Sequence, residues 1–357
     1  MRDSSPKIAR IQQLAWTLSL ASARRQWDTP GEYVWAFPDS DDFEPVRSRS
    51  RSIFSSGNAI KDPQVLNFIQ RQAVSRHMAN PWIVQEFEDY WPDWIQQGSG
   101  YRLRNLELYR YRGFSQGTQE SFLNFYMMHR DRRFRVFRGD YWWHMDIWQK
   151  IKQPWAYLDT DELRPGDICI VSCPFALTGR RHPHLANLLD ECDIKGIPVM
   201  LDFIYLPNSM DLDVDLDLAR DCIDTITFSL SKTFPVQCAK IAIRMRRNKP
   251  SDPMQMSNDE NICNRLSAGL GLDVIRNFAP DHMVHQYREQ QKIWCDRLGL
   301  QASAVVHFAL GPDYTEWGRS DQRNWCSPFN DQGNRYNLGI LYENPRLLAN
   351  LAAEFDK

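Results

Sequence analysis

At 357 residues the chain has room for two lobes. A formal net charge of −2 supplies no global field toward nucleic acid or an anionic membrane surface, so neither is an expected partner. Eight cysteines are scattered without a CxxC pair, which argues against a disulfide scaffold or a zinc ribbon and fits a reducing, cytoplasmic setting.

The N-terminal stretch KIARIQQLAWTLSLASARRQW imitates a secretory signal in its basic residues and its Ala-x-Ala. Gln12, Gln13, Thr17 and Ser19 interrupt the apolar run, while Ile8, Ile11, Leu14, Ala15 and Leu18 share one helical face. With Ser5 as cap and Pro6 at the first helical position, the segment reads as an amphipathic helix. No run approaches the ~20 apolar residues of a membrane span. Residues 27–60, with the alternation RSRSRS from Arg47 to Ser52, read as irregular structure.

From about Asp62 helical and strand-like segments alternate. LRNLELYRYR and QESFLNFYMMHRD read as helices, RFRVFRGDY and DICIVS as strands, and LANLLDECDIKG as a helix ending at Gly196. IPVMLDFIY, an apolar run between Gly196 and Pro207, reads as a central parallel strand; DTITFSLSK reads as another. This succession predicts an α/β fold with a mostly parallel central sheet and helices on both faces. SAVVHFAL and the final strand and helix predict a smaller α+β lobe. The expected division is residues 1–60 as an N-terminal helix and irregular segment joining the small lobe, 61–250 as the large domain, and 251–357 as the small C-terminal domain.

Two strand ends carry chemistry. Asp202 closes the first central strand, and an acid there is costly without a partner. Lys232 follows the second, at the carboxyl edge where open α/β sheets bind ligands. The two face one crevice if the strands are neighbours.

These residues resemble the fold-type I, class I/II aminotransferases, the aspartate aminotransferase superfamily. There a strand ends in Asp-x-x-Tyr, here Asp202 to Tyr205, and a later strand runs into Ser-x-x-Lys, here Ser229 to Lys232. The family's basic residue eight positions after the lysine is Lys240 rather than Arg, and its usual Gly is Cys238. YRGFSQGTQESFLNFY resembles the phosphate-binding turn, with Gly117, Thr118 and Gln119; VFRGDYWW resembles the strand end that lays a ring on the cofactor, with Tyr141. VSCPFALTG resembles the NPxNPTG turn in outline, with Ala176 in place of the asparagine that touches the cofactor's phenolic oxygen. GNRYNLGILYENPRLLANLAAEF resembles the closing strand and helix, with Arg335 where a substrate carboxylate is gripped.

The resemblance covers roughly Tyr101 to the C-terminus and implies pyridoxal 5'-phosphate (PLP), amino acid and 2-oxo acid substrates, and a homodimer. It implies that Lys232 anchors the cofactor as a Schiff base and moves protons, and that Asp202 keeps the ring nitrogen protonated. Tyr205 would hydrogen-bond the phenolic oxygen; Gly117, Thr118, Gln119, Ser229 and Lys240 would take the phosphate. Transamination leads; decarboxylation, elimination, replacement or oxidation on the same cofactor is the alternative, and a catalytically silent binding protein a third.

Other signals stay structural. Asp211, Asp213, Asp215 and Asp217 lack the glycine and terminal glutamate of a calcium loop and read as a solvated loop entering a helix. His182 and His184 lack further ligands at zinc spacing, so no metal site is expected. Arg130, Arg132, Arg133, Arg135 and Arg138, interleaved with Phe134 and Phe137, read as an exposed strand face rather than an RNA surface.

Overall fold

The computed structural model describes residues 59–311 and 335–342. The expected N-terminal helix, the irregular stretch up to residue 58 and the closing helix after residue 342 lie outside them.

Helix α1 (Pro63–Gln70) begins with proline, and Asp62 before it caps the Val65 amide at 2.9 Å. Helix α2 (Ile83–Ile95) buries Phe87, Trp91 and Trp94 along one stripe. Then come β1 (Tyr101–Arg104), β2 (Tyr111–Gln116), α3 (Thr118–Met128), β3 (Arg133–Val136), α4 (Trp143–Lys150), β4 (Trp155–Tyr157) and β5 (Asp167–Ser172). They are followed by α5 (Leu185–Lys195), β6 (Val199–Asp202), β7 (Val214–Asp217), β8 (Ile223–Ser229) and β9 (Ile241–Arg246). The remainder comprises α6 (Pro253–Asp259), α7 (Arg265–Asn277), α8 (His282–Leu298), β10 (Gln301–Ala302), β11 (Phe308–Leu310), β12 (Arg335–Asn337) and α9 (Gly339–Tyr342).

A seven-stranded sheet runs in the order β2-β9-β8-β6-β5-β3-β4. Only β9 is antiparallel to its neighbours, so the expectation of a mostly parallel sheet holds. Alternate residues of its strands enter two separate cores. Cys169, Val171, Val199 and Leu201 pack with Phe87, Trp91, Leu185, Leu188 and Leu272, whereas Ile168, Ile170 and Met200 pack with Phe122, Phe125 and Trp148. Helices α2, α5 and α7 therefore cover one face, and α3 and α4 the other.

A three-stranded antiparallel sheet, β10-β11-β12, forms the second, smaller layer beside α8. Helices α6 and α7 pack on the larger body: Asn258 of α6 is hydrogen-bonded to Phe114 of β2 at 2.9 and 3.0 Å. A Cβ on Gly271 of α7 would stand 2.8 Å from Ile241 of β9.

Three expectations change. LRNLELYRYR is not a helix: Asn105, left-handed at φ 63°, ends β1, and β2 starts at Tyr111. Its first two residues, Leu103 and Arg104, are drawn instead, with Tyr101 and Arg102 before them, into a parallel ladder with β7, where Asp215 sits against Arg102 and Arg104. The acidic run DLDVDLDLARD accordingly holds a strand rather than leading from a loop into a helix. The arginine-rich strand is not an exposed face either. Arg135 is fully buried against Asp167 at 2.7 Å and Asp161 at 2.9 Å, and Arg133 joins both acids. Buried guanidinium groups require such partners, and sequence position alone did not reveal them.

Candidate functional site

The carboxyl ends of the parallel strands and the start of β9 meet along one edge. Register fixes their order. Ser172 lies opposite Asp202, Asp202 opposite Thr227, Ser229 opposite Ala242, and Ile241 opposite Gln116. Gly117 and Lys240 thus flank one end of the row, with Ser229, Asp202 and Ser172 following across it.

At that end Gly117 adopts φ 87° and opens α3 without a side-chain cap. Ser121 donates to Ser115 at 3.0 Å, and Ser115 to the Gly117 carbonyl at 2.7 Å, which fixes the helix start on the sheet. Glu120 in the first turn is folded back onto the Gln116 amide at 2.6 Å. Free first-turn amides form an anion site. Lys240 stands beside it: its stem would lie 3.5 Å from a Cβ on Gly117. The Gln119 amide donates to the Tyr141 hydroxyl at 3.3 Å, joining this turn to the ring.

In the middle of the row Asp202 is 2% exposed, and its carboxylate accepts the Ile204 amide at 3.2 Å. Burial first, then the charge of Asp140, hold its carboxyl well above the usual range, against the pull of Lys232. A buried carboxylate so poorly compensated fits a cationic hydrogen-bond donor. Asp140, fully buried after β3, accepts from Ser172 N at 3.0 Å, Tyr141 N at 2.7 Å and the Ser172 hydroxyl. Burial pushes it up to about 6. Tyr141 is pushed up to about 12, again by burial. Its ring is stacked with Trp143 at 6.3 Å and meets Trp142 edge-on at 5.9 Å, the crowding its sequence suggested.

Lys232 lies in the turn after β8. The Ser229 hydroxyl is spent on that turn, donating to Ile241 O at 3.0 Å and accepting from Ser231 N at 3.0 Å. Ser229 therefore shapes the lysine loop. Asn208 adds a bond from its amide to the Lys232 carbonyl at 3.1 Å.

The third wall comes from the small sheet. Arg335, half-buried, lies over the Phe308 ring at 4.5 Å and donates to the Ala176 carbonyl. Burial lowers its guanidinium, and Tyr205 opposes that through a hydrogen bond and its charge. Tyr205 meets Phe308 at 5.0 Å and His307 at 5.9 Å. Gly179, at φ 63°, lets the turn after Ala176 approach this wall; a Cβ there would stand 2.4 Å from Ser303 Oγ.

Comparison with solved structures places this architecture. The C-S lyase of Staphylococcus hominis, complexed with the inhibitor L-cycloserine, matches at TM-score 0.60 and 14% identity, over 89% of this chain and 92% of that one. This chain has the fold of the fold-type I PLP-dependent enzymes. A probable N-succinyldiaminopimelate aminotransferase of Thermus thermophilus matches at 0.57 and 13%, over 82% and 93% of the two chains. Its Mycobacterium tuberculosis counterpart gives 0.57 and 12%, over 82% and 90%. No family model and no curated protein matches the sequence.

The expected residues Gly117, Thr118, Gln119, Tyr141, Asp202, Tyr205, Ser229, Lys232 and Lys240 all fall on this one edge, with Arg335 facing it. Asp140, Asn208 and His307 were not foreseen. Asp140 had a signal, since it is an acid just beyond a strand as Asp202 is; His307 had none.

Proposed function

We propose that this chain is a PLP-dependent enzyme acting on amino acids, and specifically an aminotransferase passing the amino group to a 2-oxo acid. The observation that carries the reading is the convergence of Lys232, the buried Asp202 and the uncapped start of α3 on one sheet edge. When bound, PLP would supply an electron sink for charge developing at the substrate's α-carbon.

The chain's own residues would do the rest. Lys232 would hold the cofactor through its amine and then carry the proton at the α-carbon. Asp202 would keep a proton on the ring nitrogen, and Tyr205 would donate to the phenolic oxygen. Tyr141 would lie on the ring. The amides of Gly117, Thr118 and Gln119, with Lys240, would take the phosphate, and Arg335 the substrate carboxylate. A homodimer completing the site belongs to the same proposal, as does a cytoplasmic setting, supported by buried free thiols such as Cys169, Cys173 and Cys192. Among the described residues no helix is long and apolar enough to cross a membrane.

Elimination or decarboxylation on the same cofactor is the second reading. Ala176 supports it, because an alanine side chain offers no hydrogen bond where the aminotransferase turn has asparagine. The test is incubation of purified protein and PLP with a panel of amino acids and oxo acids, following absorbance and products. Borohydride should then fix pyridoxyl mass on the peptide containing Lys232, and an oxo acid should restore the spectrum that an amino donor bleaches. Label on another peptide removes Lys232; release of carbon dioxide or ammonia without bleaching replaces transamination with the second reading.

A further inference from the structure

His307 is fully buried, and among the described residues neither of its ring nitrogens has a hydrogen-bond partner. Its backbone is held firmly. Leu338 N donates to the His307 carbonyl at 2.8 Å and Val306 N to Asn208 O at 3.0 Å, while the Gln291 amide donates to Val305 O at 3.0 Å and Phe308 O at 2.7 Å. Buried polar groups are met by a partner, and among the described residues the ring N–H of His307 has none, which leaves it open to a molecule entering the site.

What surrounds the ring defines the visitor. Tyr205 lies 5.9 Å away between ring centres, and the positive charges of Lys232 and Arg335 both act on the imidazole. Burial and those cations pull it down to about 3, so the ring is neutral and offers one donor. Arg335 spends one nitrogen on the Ala176 carbonyl, and among the described residues its buried Nε has no partner. A second unmet N–H thus stands on the neighbouring strand β12. Two unpaired donors beside two cations call for an acceptor-only anion with two oxygens. A hydroxyl or amide would pair a nitrogen but leave the positive charge uncompensated.

We propose that His307 is a substrate-binding residue, donating its ring N–H to one carboxylate oxygen of the amino acid while Arg335 takes the other. This rests on the function proposed above and names which groups select its substrates.

The experiment compares propionate, a carboxylate without an amine, with isopropylamine, an amine without a carboxylate, by titration calorimetry on PLP-free and PLP-loaded protein. His307→Phe should weaken propionate at least about tenfold in both forms, as loss of a hydrogen bond to a charged group requires, and leave isopropylamine and PLP unchanged. His307→Asn, which retains a donor, should stay within about threefold of the parent. Unchanged propionate affinity in the Phe variant, an Asn variant as weak as Phe, or equal weakening of both probes each overturns the assignment. Failure of the parent to bind PLP saturably would sink the proposed function instead, while the propionate arm on PLP-free protein still decides His307.

Discussion

Replacing Asp140 by Asn should reverse its effect on stability between acid and neutral pH. Burial raises this carboxyl from its ordinary 3.8 to about 6. For an acid raised by folding, stability is fully present below the unfolded value and is lost as pH climbs through the folded one. The gap between 3.8 and about 6 corresponds to a total loss of about 3 kcal/mol, of which about 2 falls between pH ~4.5 and ~7.5. Asn never ionises and escapes that loss, but it has one oxygen where Asp140 takes Ser172 N, Tyr141 N and the Ser172 hydroxyl. One donor then goes unmet, at about 1–3 kcal/mol at every pH. The Asp140 charge also raises Asp202, so its removal relieves a second penalty in the same direction. Urea unfolding of PLP-free protein across that pH range should show the variant clearly weaker near pH 4.5 and gaining about 2 kcal/mol on the parent by pH 7.5. Parallel curves would show that Asp140 is not ionising under an electrostatic load and would refute the account.

Lys240→Ala should weaken PLP binding by roughly 1.5–3 kcal/mol and leave turnover at saturating PLP nearly unchanged, because its proposed partner does not react. Equal affinity in spectral titrations would return Lys240 to the surface. Gly179→Ala puts a Cβ 2.4 Å from Ser303 Oγ and 2.9 Å from Phe308 in a left-handed residue, and should cost about 2–5 kcal/mol in chemical unfolding. A loss below about 1 kcal/mol would mean that Ser303 and Phe308 yield freely.

The central strands were legible because β6 reads as an apolar run closed by Gly196 and Pro207, and β8 is marked by its β-branched content and alternation running into the lysine turn. Motif order then brought Asp202, Lys232 and Gly117 to one edge. The stretch from Leu103 was misread as a helix because the partner of its start, β7, lies more than a hundred residues away, and local sequence carries nothing about such pairing. Arg135 was misread for the same reason, since burial of a charge is decided by Asp161 and Asp167, which only the fold brings near. The Ser229 hydroxyl is held by the Ile241 carbonyl, a contact that lies outside the four-residue motif and so could not be read from it.

The segment from Asn208 to Met210 binds in two directions at once. Its side-chain amide holds the Lys232 carbonyl, while Asn208 O accepts Val306 N, Ser209 bridges Val305, and Met210 N reaches Ala304 O at 2.8 Å. The lysine loop and the mouth of the small sheet are therefore bolted to one axle. The Arg180 guanidinium adds a bond to Ala302 O at 3.0 Å and Ser303 one to Thr178 O at 2.7 Å, so strand β10 is fastened to the larger body as well. The spacing between the lysine loop and the wall that carries Tyr205, His307 and Phe308 is thereby set by backbone hydrogen bonds, which suits a site that depends on exact distances.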